Sequence, residues 1–250
     1  MDLTVQSFLH EFEKILTKQV KDSFPRYWDE NTITFNILRE FETSLSVVHI
    51  KDSRQRMQIE WKAFKIGRPT ENKYGDVAFL VNINYQDGDR IEGAAFLEAK
   101  KRERDRTRFG AMKTGQLKRI RKHAPSSMVL LYDYEDITQF ADTGAFTEGW
   151  KGLVLKPCTC SVVVPSNTIL SVQKKNTTLY KFSIPFSYQL FFRYLQGFDL
   201  EFGEQPKKIA KGYATKLGAP TYLVIVSVAY GKTEPLREIS FNGELFRNIE

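Results

Sequence analysis

The residues best suited to chemistry lie where an apolar stretch ends. The segment GAAFLEAKKRERDRTRFG, residues 93–110, carries Glu98 and Lys100 two positions apart, just before a run of positive charge. Side chains alternate between the faces of a β-strand, so these two charged groups would share a face. An exposed ion pair, worth little in stability, is one interpretation. A functional cluster is the other, because an acid seldom lies at the edge of a buried strand without a partner.

A hairpin precedes this pair. Val77–Tyr85 is apolar and β-branched, Asp87-Gly88-Asp89 is typical of a turn, and Ile91–Lys100 would be the return strand. A loop of three residues would set position 76 opposite position 100, so Asp76 would join the face of the charged pair. An even loop would turn Asp76 to the other face unless a bulge intervened. The alternative is an acid at a strand start that pairs with a nearby arginine.

Two carboxylates and one ammonium at one corner of a sheet suit metal-assisted cleavage of a phosphodiester. Mg²⁺ is a hard cation that takes a few carboxylates and keeps several waters, and Mn²⁺ can substitute for it. Asp76, Glu98 and the carbonyl of Ala99 would hold the ion. The metal would acidify a water and neutralise the transition state, while Lys100 would orient that water or stabilise negative charge.

The charge distribution points to a polyanionic partner. The chain has a formal net charge of +7, yet the segment from Lys100 to His123 alone holds eleven Lys or Arg and only two acids. Such a patch binds phosphates by releasing counterions and sets affinity rather than sequence preference. A solvated loop is the alternative. The predicted nucleic-acid-binding residues are Lys101, Arg102, Arg104, Arg106, Arg108, Lys113, Lys118, Arg119 and Lys122.

Composition excludes several other classes. The 250 residues are 42% hydrophobic, 27% charged and 13% aromatic, which is typical of a globular protein and argues against disorder. The longest apolar run, residues 221–230, is about half of a membrane span. No secretory signal is evident, so we expect a cytoplasmic protein without a membrane partner. Cys158 and Cys160 are too few for a closed metal site, and we expect both to be buried on one face of a strand.

The hydrophobic periodicity predicts an α/β (α+β) fold in a single domain, residues 1–250. We assign residues 1–50 to a helical N-terminal elaboration, 51–133 to the core and 134–250 to a C-terminal elaboration that would form an oligomer or partner interface. Predicted helices cover 4–24, 53–64 (closed by Gly67 and Pro69), 110–122, 188–195 and 205–217. Predicted strands cover 77–85, 91–100, 128–132, 153–155, 161–164 and 221–229.

A family resemblance follows from these residues. Gly75-Asp76, then 21 residues that contain the hairpin, then Glu98-Ala99-Lys100 resembles the PD-(D/E)xK, or restriction-endonuclease-like, nuclease superfamily. The resemblance covers residues 53–133. It implies an α-β-β-β-α-β core with a central mixed sheet flanked by helices. The proline of the family name is replaced here, since Tyr74 and Gly75 precede Asp76.

The resemblance also implies two supporting residues. Gln116 falls on the helix after the motif, where several branches of the superfamily carry a glutamine that supports the site; a merely solvated glutamine is the alternative. Glu60 falls on the predicted helix before it, where other branches place an additional metal carboxylate. Glu71 is a competing acid for that role.

Together these features lead us to expect a Mg²⁺-dependent deoxyribonuclease, an endonuclease rather than an exonuclease. The resemblance implies a prokaryotic restriction or anti-phage defence system. It also implies a homo-oligomer or a complex with an ATPase, a helicase or another defence subunit. The alternatives are a catalytically inactive nucleic-acid-binding or assembly subunit with the same fold, a recombination or repair nuclease, and an RNA-directed nuclease.

Overall fold

One mixed sheet runs through the protein. The computed structural model describes residues 2–51, 56–67, 74–141, 158–214, 216–231 and 239–249. Within these ranges ten strands pair in the order β1-β2-β3-β9-β4-β5-β6-β7-β8, and β10 pairs with β3. The strands are β1 Asp2–Leu3, β2 Val47–Lys51, β3 Arg56–Ile66, β4 Val77–Asn84, β5 Arg90–Lys101, β6 Met128–Ile137, β7 Thr159–Pro165, β8 Ile184–Pro185, β9 Tyr222–Tyr230 and β10 Phe246–Asn248.

Two long helices cover one face of the sheet. Helix α1 spans Val5–Ser23 and helix α2 spans Glu30–Ser44, and the side chains of Thr4 and Asp29 cap their first turns. The apolar residues of both helices pack in one core with Leu97 of β5. The prediction of a helix over residues 4–24 is therefore confirmed.

Helix α3, Thr114–His123, packs on the opposite face. Its Ile120 lies in a second core with Phe96, the neighbour of Leu97 on β5, so β5 is buried on both sides. The helix predicted at 110–122 is thus present but begins later. The central mixed sheet flanked by helices agrees with the expected α/β class. No helix in the described ranges is long and apolar enough to cross a membrane.

The helix predicted over residues 53–64 is wrong. The described part of that segment is strand β3, in which Met57, Ile59 and Trp61 are buried and alternate with partly exposed residues. This period of two matches a strand; the helical prediction fitted only a few of the same apolar positions. The helix that does lie before the hairpin strands is α2, which was not predicted.

The C-terminal half also departs from expectation in places. Three successive helical turns, α5 Phe186–Tyr188, a π turn Gln189–Arg193 and a 3₁₀ turn Tyr194–Gln196, replace the single helix predicted at 188–195. The helix predicted at 205–217 is shorter, because α6 spans only Glu204–Ala210. The short α4, Ser166–Ser171, and a 3₁₀ turn at Thr177–Phe182 were not predicted.

The remaining strand predictions agree with the structure where it describes them. Strands β6, β7 and β9 contain the segments predicted at 128–132, 161–164 and 221–229, although β9 begins one residue later. Pro69, Glu71 and the strand predicted at 153–155 lie outside the described residues. The expectation for the two cysteines is half right: Cys160 is buried in β7, whereas Cys158 precedes that strand and is exposed.

Strand β9 lies in the middle of the sheet. It runs antiparallel to β3 and parallel to β4, where Tyr222 lies opposite Val77. All nine of its residues are buried, as expected for a strand covered on both faces. The segment assigned to the C-terminal elaboration therefore supplies the strand that joins β3 to the hairpin of β4 and β5.

Candidate active site

The hairpin brings Asp76 to the face of Glu98 and Lys100. In the register, Asn84 lies opposite Arg90 and Val77 lies opposite Leu97, so the loop has five residues instead of three. Asp76 is consequently level with position 98 and not with position 100. The predicted loop of three residues and the observed loop of five both contain an odd number of residues. The shift by two positions therefore leaves Asp76 on the predicted face.

The backbone around Asp76 is fixed from both sides. Its N–H donates to the carbonyl of Leu97 at 2.9 Å, and its own carbonyl accepts from the N–H of Tyr222 in β9 at 2.8 Å. The preceding Gly75 has φ +81°, and a Cβ there would lie 3.1 Å from the Leu97 carbonyl. A glycine meets both constraints, whereas other residues rarely adopt this φ. The carboxylate Oδ2 of Asp76 then accepts from the N–H of Ala99 at 2.8 Å.

Glu98 and Lys100 form a buried ion pair. Their residues are only 4% and 7% exposed, and Lys100 Nζ donates to Glu98 Oε1 at 2.7 Å. The same ammonium donates to the carbonyl of Ala99 at 2.8 Å. The pair is thus not an exposed cross-strand contact, and both charges depend on each other for compensation.

Gln116 faces the site. From the first turns of α3, its Nε2 donates to Glu98 Oε2 at 2.7 Å, while Lys100 holds Oε1. Both oxygens of Glu98 are therefore held in position by hydrogen bonds. The alternative of a solvated glutamine is excluded by this contact.

Glu30 is a fifth member of the site, and the sequence analysis did not predict it. It occupies the first position of α2, and its Oε2 lies 3.7 Å from Lys100 Nζ. Its Oε1 accepts from the backbone N–H of Lys101 at 3.2 Å. The helix it begins had a recognisable signal in the cap Asp29 and the apolar spacing that follows, but nothing local in the sequence connects Glu30 with β5.

The cluster has more acids than cations, and its pKa values reflect this excess. Burial raises the pKa of Glu98 to about 7, and the charges of Asp76 and Glu30 add to the effect of burial, while Lys100 opposes it. For Lys100, burial disfavours the ammonium, but Glu98, Glu30 and Asp76 together raise its pKa above the ordinary value. The site therefore has a net negative charge, which a bound cation would compensate.

The available donors fit a magnesium ion held by few protein ligands. Asp76 and Glu98 offer carboxylate oxygens and Ala99 offers a carbonyl, all of which are hard donors. Among the described residues no three His, Cys, Asp or Glu side chains are grouped so as to hold one ion. A cation here would thus keep several waters, which Mg²⁺ does readily.

Arg102 does not belong to the phosphate-binding set in which it was predicted. Its residue is 9% exposed, and its guanidinium donates to Asp133 at 2.9 Å, to Glu135 at 2.8 Å and to the Tyr134 hydroxyl at 2.7 Å. Tyr180 donates its hydroxyl proton to the same Asp133 oxygen that Arg102 binds. With these partners Arg102 is structural, and the prediction that it binds phosphate is wrong.

The other predicted basic residues lie at or near the surface. Lys101 is half-buried, and the exposed ones are Arg104, Arg106, Arg108, Lys113, Lys118, Arg119 and Lys122. Two of these cations, Arg106 and Arg108, contact the carboxylate of Glu103. The rest of the surface, along the loop after β5 and on α3, is accessible to a polyanion.

Glu60 lies far from this cluster. It lies on β3 and not on a helix, and it accepts a hydrogen bond from Gln58 at 2.6 Å. Glu60 is opposite Ser227, which is opposite Asn82 on β4. Asn82 is about 20 Å along the strand from Asp76 at roughly 3.3 Å per residue. Glu60 therefore cannot share an ion with Asp76, and its assignment as a metal ligand is corrected.

Comparison with known proteins identified no relative. No protein-family model, curated protein or solved structure matches the chain. The argument for a function consequently depends on the geometry of Asp76, Glu98, Lys100, Gln116 and Glu30.

Proposed function

We propose that this protein is a divalent-metal-dependent nuclease that hydrolyses phosphodiester bonds in DNA. The observation that carries the proposal is the convergence of Asp76, Glu98 and Lys100 at the ends of two paired strands, with Asp76 bonded to the Ala99 N–H at 2.8 Å. Antiparallel β4 and β5, followed by α3 and a β6 parallel to β5, support a restriction-endonuclease-like core.

The chemistry divides between a metal ion and the side chains. Mg²⁺ held by Asp76, Glu98 and the Ala99 carbonyl would acidify a bound water and neutralise charge on the phosphate. Gln116 keeps the Glu98 carboxylate oriented through its 2.7 Å hydrogen bond. Lys100 supplies a charged donor at the same edge, where it orients the attacking water or stabilises negative charge on the phosphate oxygens.

The exposed cations supply the affinity for DNA. Arg104, Lys113, Lys118 and Lys122 are exposed, and such groups contact the phosphate backbone without reading bases. Endonucleolytic cleavage, a role in prokaryotic restriction or anti-phage defence, and assembly as a homo-oligomer or with an ATPase or helicase belong to the same proposal.

Plasmid cleavage tests this function. We expect the wild-type protein to nick or linearise supercoiled DNA with Mg²⁺ and to lose this activity in EDTA. Glu98→Gln and Lys100→Met should each lower the rate by about 10²-fold or more, as loss of catalytic groups does. Glu92→Gln is the matched control, since Glu92 lies on the same face of β5 and pairs with Lys211 away from the site. Equal cleavage by all four proteins contradicts the proposal.

A nucleic-acid-binding subunit without catalytic activity is the second candidate. It is favoured by the position of the Lys100 ammonium, which already compensates Glu98 and the Ala99 carbonyl. Calorimetric titration of Mg²⁺ in the presence of DNA distinguishes the two. Saturable binding supports the nuclease, and DNA binding without Mg²⁺ binding supports the inactive subunit. The same cleavage assay on RNA tests the RNA-directed alternative.

A further inference from the structure

The ammonium of Lys100 and a metal ion would compete for the same oxygens. Lys100 Nζ lies 2.7 Å from Glu98 Oε1 and 2.8 Å from the Ala99 carbonyl. These are two of the three groups proposed to hold Mg²⁺, so this inference rests on the proposed function. Two positive charges in contact with the same oxygens repel each other strongly in a buried site. A divalent ion that binds Glu98 Oε1 and the Ala99 carbonyl must therefore displace Lys100.

The displaced ammonium needs another acceptor, and Glu30 is suitably placed. The Lys100 side chain is 9% exposed, so it cannot simply extend into water. Glu30 Oε2 lies 3.7 Å from Lys100 Nζ, which is about 1 Å longer than a charge-assisted hydrogen bond. A small movement of Lys100 away from the Ala99 carbonyl would close that distance.

Glu30 is held in place independently of Lys100. Its Oε1 accepts from the Lys101 N–H at 3.2 Å, which leaves Oε2 facing the ammonium. The backbone of Gly110 lies directly beside it, since a Cβ on Gly110 would come within 3.1 Å of Oε1. The first turn of α2 is fixed by the Asp29 cap, whose side chain accepts from the Thr32 N–H. Glu30 is thus a fixed acceptor toward which Lys100 can move.

We propose that Glu30 is a positioning residue that takes over the Lys100 ammonium when a divalent cation binds Asp76 and Glu98. Glu30 is not itself a ligand in this arrangement, because its Oε1 accepts from the Lys101 N–H and its Oε2 is the oxygen that receives the Lys100 ammonium. Its role is to keep Lys100 close to the substrate phosphate and away from the oxygens of the metal site. The site then exchanges one cation for another without leaving Lys100 buried and unpaired.

A double-mutant cycle on Mg²⁺ affinity tests the inference without any turnover. The titration uses the full-length protein with Mg²⁺ alone and no DNA, for the wild type, Glu30→Gln, Lys100→Met and the double variant. Lys100→Met should bind Mg²⁺ more tightly, because the competing ammonium is gone. Glu30→Gln should weaken binding about tenfold more in the presence of Lys100 than in its absence, the coupling expected for side chains in contact.

Glu40→Gln is the matched control, because Glu40 lies near the opposite end of the same helix and bonds Ser44. It should leave Mg²⁺ affinity unchanged. Glu30→Asp, which keeps the carboxylate, should restore part of the affinity that Glu30→Gln loses. Thermal melting verifies that each variant is folded.

The outcomes separate this inference from the proposed function. An equal loss of Mg²⁺ affinity on Glu30→Gln in both backgrounds would make Glu30 a direct or electrostatic contributor to metal binding and would overturn the positioning role. A gain in affinity on Glu30→Gln would overturn it as well, because Glu30 would then hold Lys100 only in the metal-free state. If none of the proteins binds Mg²⁺ without DNA, this inference fails, whereas the nuclease proposal is decided separately by plasmid cleavage and by Mg²⁺ titration with DNA.

Discussion

Two cations near the end of β5, Lys100 and Arg102, have different surroundings. Lys100 lies among Asp76, Glu98 and Glu30, so one positive charge faces three carboxylates, and the pKa of Glu98 rises to about 7. Arg102, two residues farther along, binds two carboxylates and a hydroxyl, and its hydrogen bond lowers the pKa of Glu135. The Lys100 cluster has a formal charge of −2 and the Arg102 cluster one of −1, so the first has the larger acidic excess. This larger excess, more than burial, separates the candidate catalytic cluster from the structural one.

The largest expected effect is on the Arg102 cluster. Arg102→Met would leave Asp133, whose side chain is 2% exposed, buried without its cation. We expect a loss of about 3–5 kcal/mol in the free energy of unfolding, as for other broken buried pairs. Urea denaturation at neutral pH measures it, with Lys100→Met as the comparison.

Lys100→Met should cost less than Arg102→Met, because Glu98 can take up a proton when Lys100 is absent. A loss of stability on Lys100→Met as large as that of Arg102→Met would remove the distinction between the two clusters.

The second effect is the dependence of stability on pH, which arises from the excess of acids around Glu98. Glu98 has a folded-state pKa of about 7, above its ordinary 4.5, so the folded protein binds more protons than the unfolded chain between these values. Stability should therefore fall as the pH rises from about 4.5 to 7, by on the order of 2 kcal/mol from this group. Glu98→Gln should reduce that dependence. Urea denaturation in EDTA across this range measures it.

An unchanged pH dependence of stability in Glu98→Gln would mean that another group has the raised pKa. Glu13 is the other carboxyl whose pKa burial raises to about 7, and Glu13→Gln is the control that separates its contribution.

A smaller effect is expected within the Arg102 cluster. Tyr180→Phe removes one hydrogen bond to Asp133 but leaves the bond from Arg102 at 2.9 Å. We expect a loss of about 1 kcal/mol in the free energy of unfolding. Mg²⁺ affinity should not change, since Tyr180 does not contact the Lys100 cluster. A change in Mg²⁺ binding would show that the two clusters are coupled.

The smallest effect concerns the exposed cations. Arg104→Ala and Lys118→Ala should each weaken DNA binding a few-fold and lower the salt dependence of binding by about one released ion per phosphate contact. Arg104 and Lys118 are exposed, so neither change should alter stability by more than about 0.5 kcal/mol. Fluorescence anisotropy with labelled DNA at several salt concentrations measures the slope. No change in slope would exclude these residues from the interface.

The sequence was sufficient for the hairpin because its determinants are local. Asp76, Glu98 and Lys100 lie on two strands joined by one short loop, and the alternation of side chains allows only two arrangements. The odd loop length determined the face, even though the register was shifted by two positions. Gln116 was expected because the resemblance places a glutamine on the helix that follows the motif.

Glu30 and the environment of Arg102 could not be obtained in this way. Glu30 is separated from Lys101 by 71 positions, and Arg102 is separated from Glu135 by 33. Both sets of contacts arise from the packing of distant elements, and a charged residue in a basic run shows no local sign of its partners. Arg102 and Arg104 look alike in the sequence, yet one is buried and the other is exposed.

The central position of β9 governs when the site can form during synthesis. Tyr222 supplies the backbone N–H that donates to the Asp76 carbonyl, and β9 separates β3 from β4. A nascent chain that has not yet emerged through residue 230 therefore lacks the strand that anchors Asp76, however complete its hairpin. Pairings over such long sequence separations form late. A polypeptide terminated before residue 222 would lack the contact that holds the Asp76 backbone, and we expect it to be inactive in the proposed DNA cleavage.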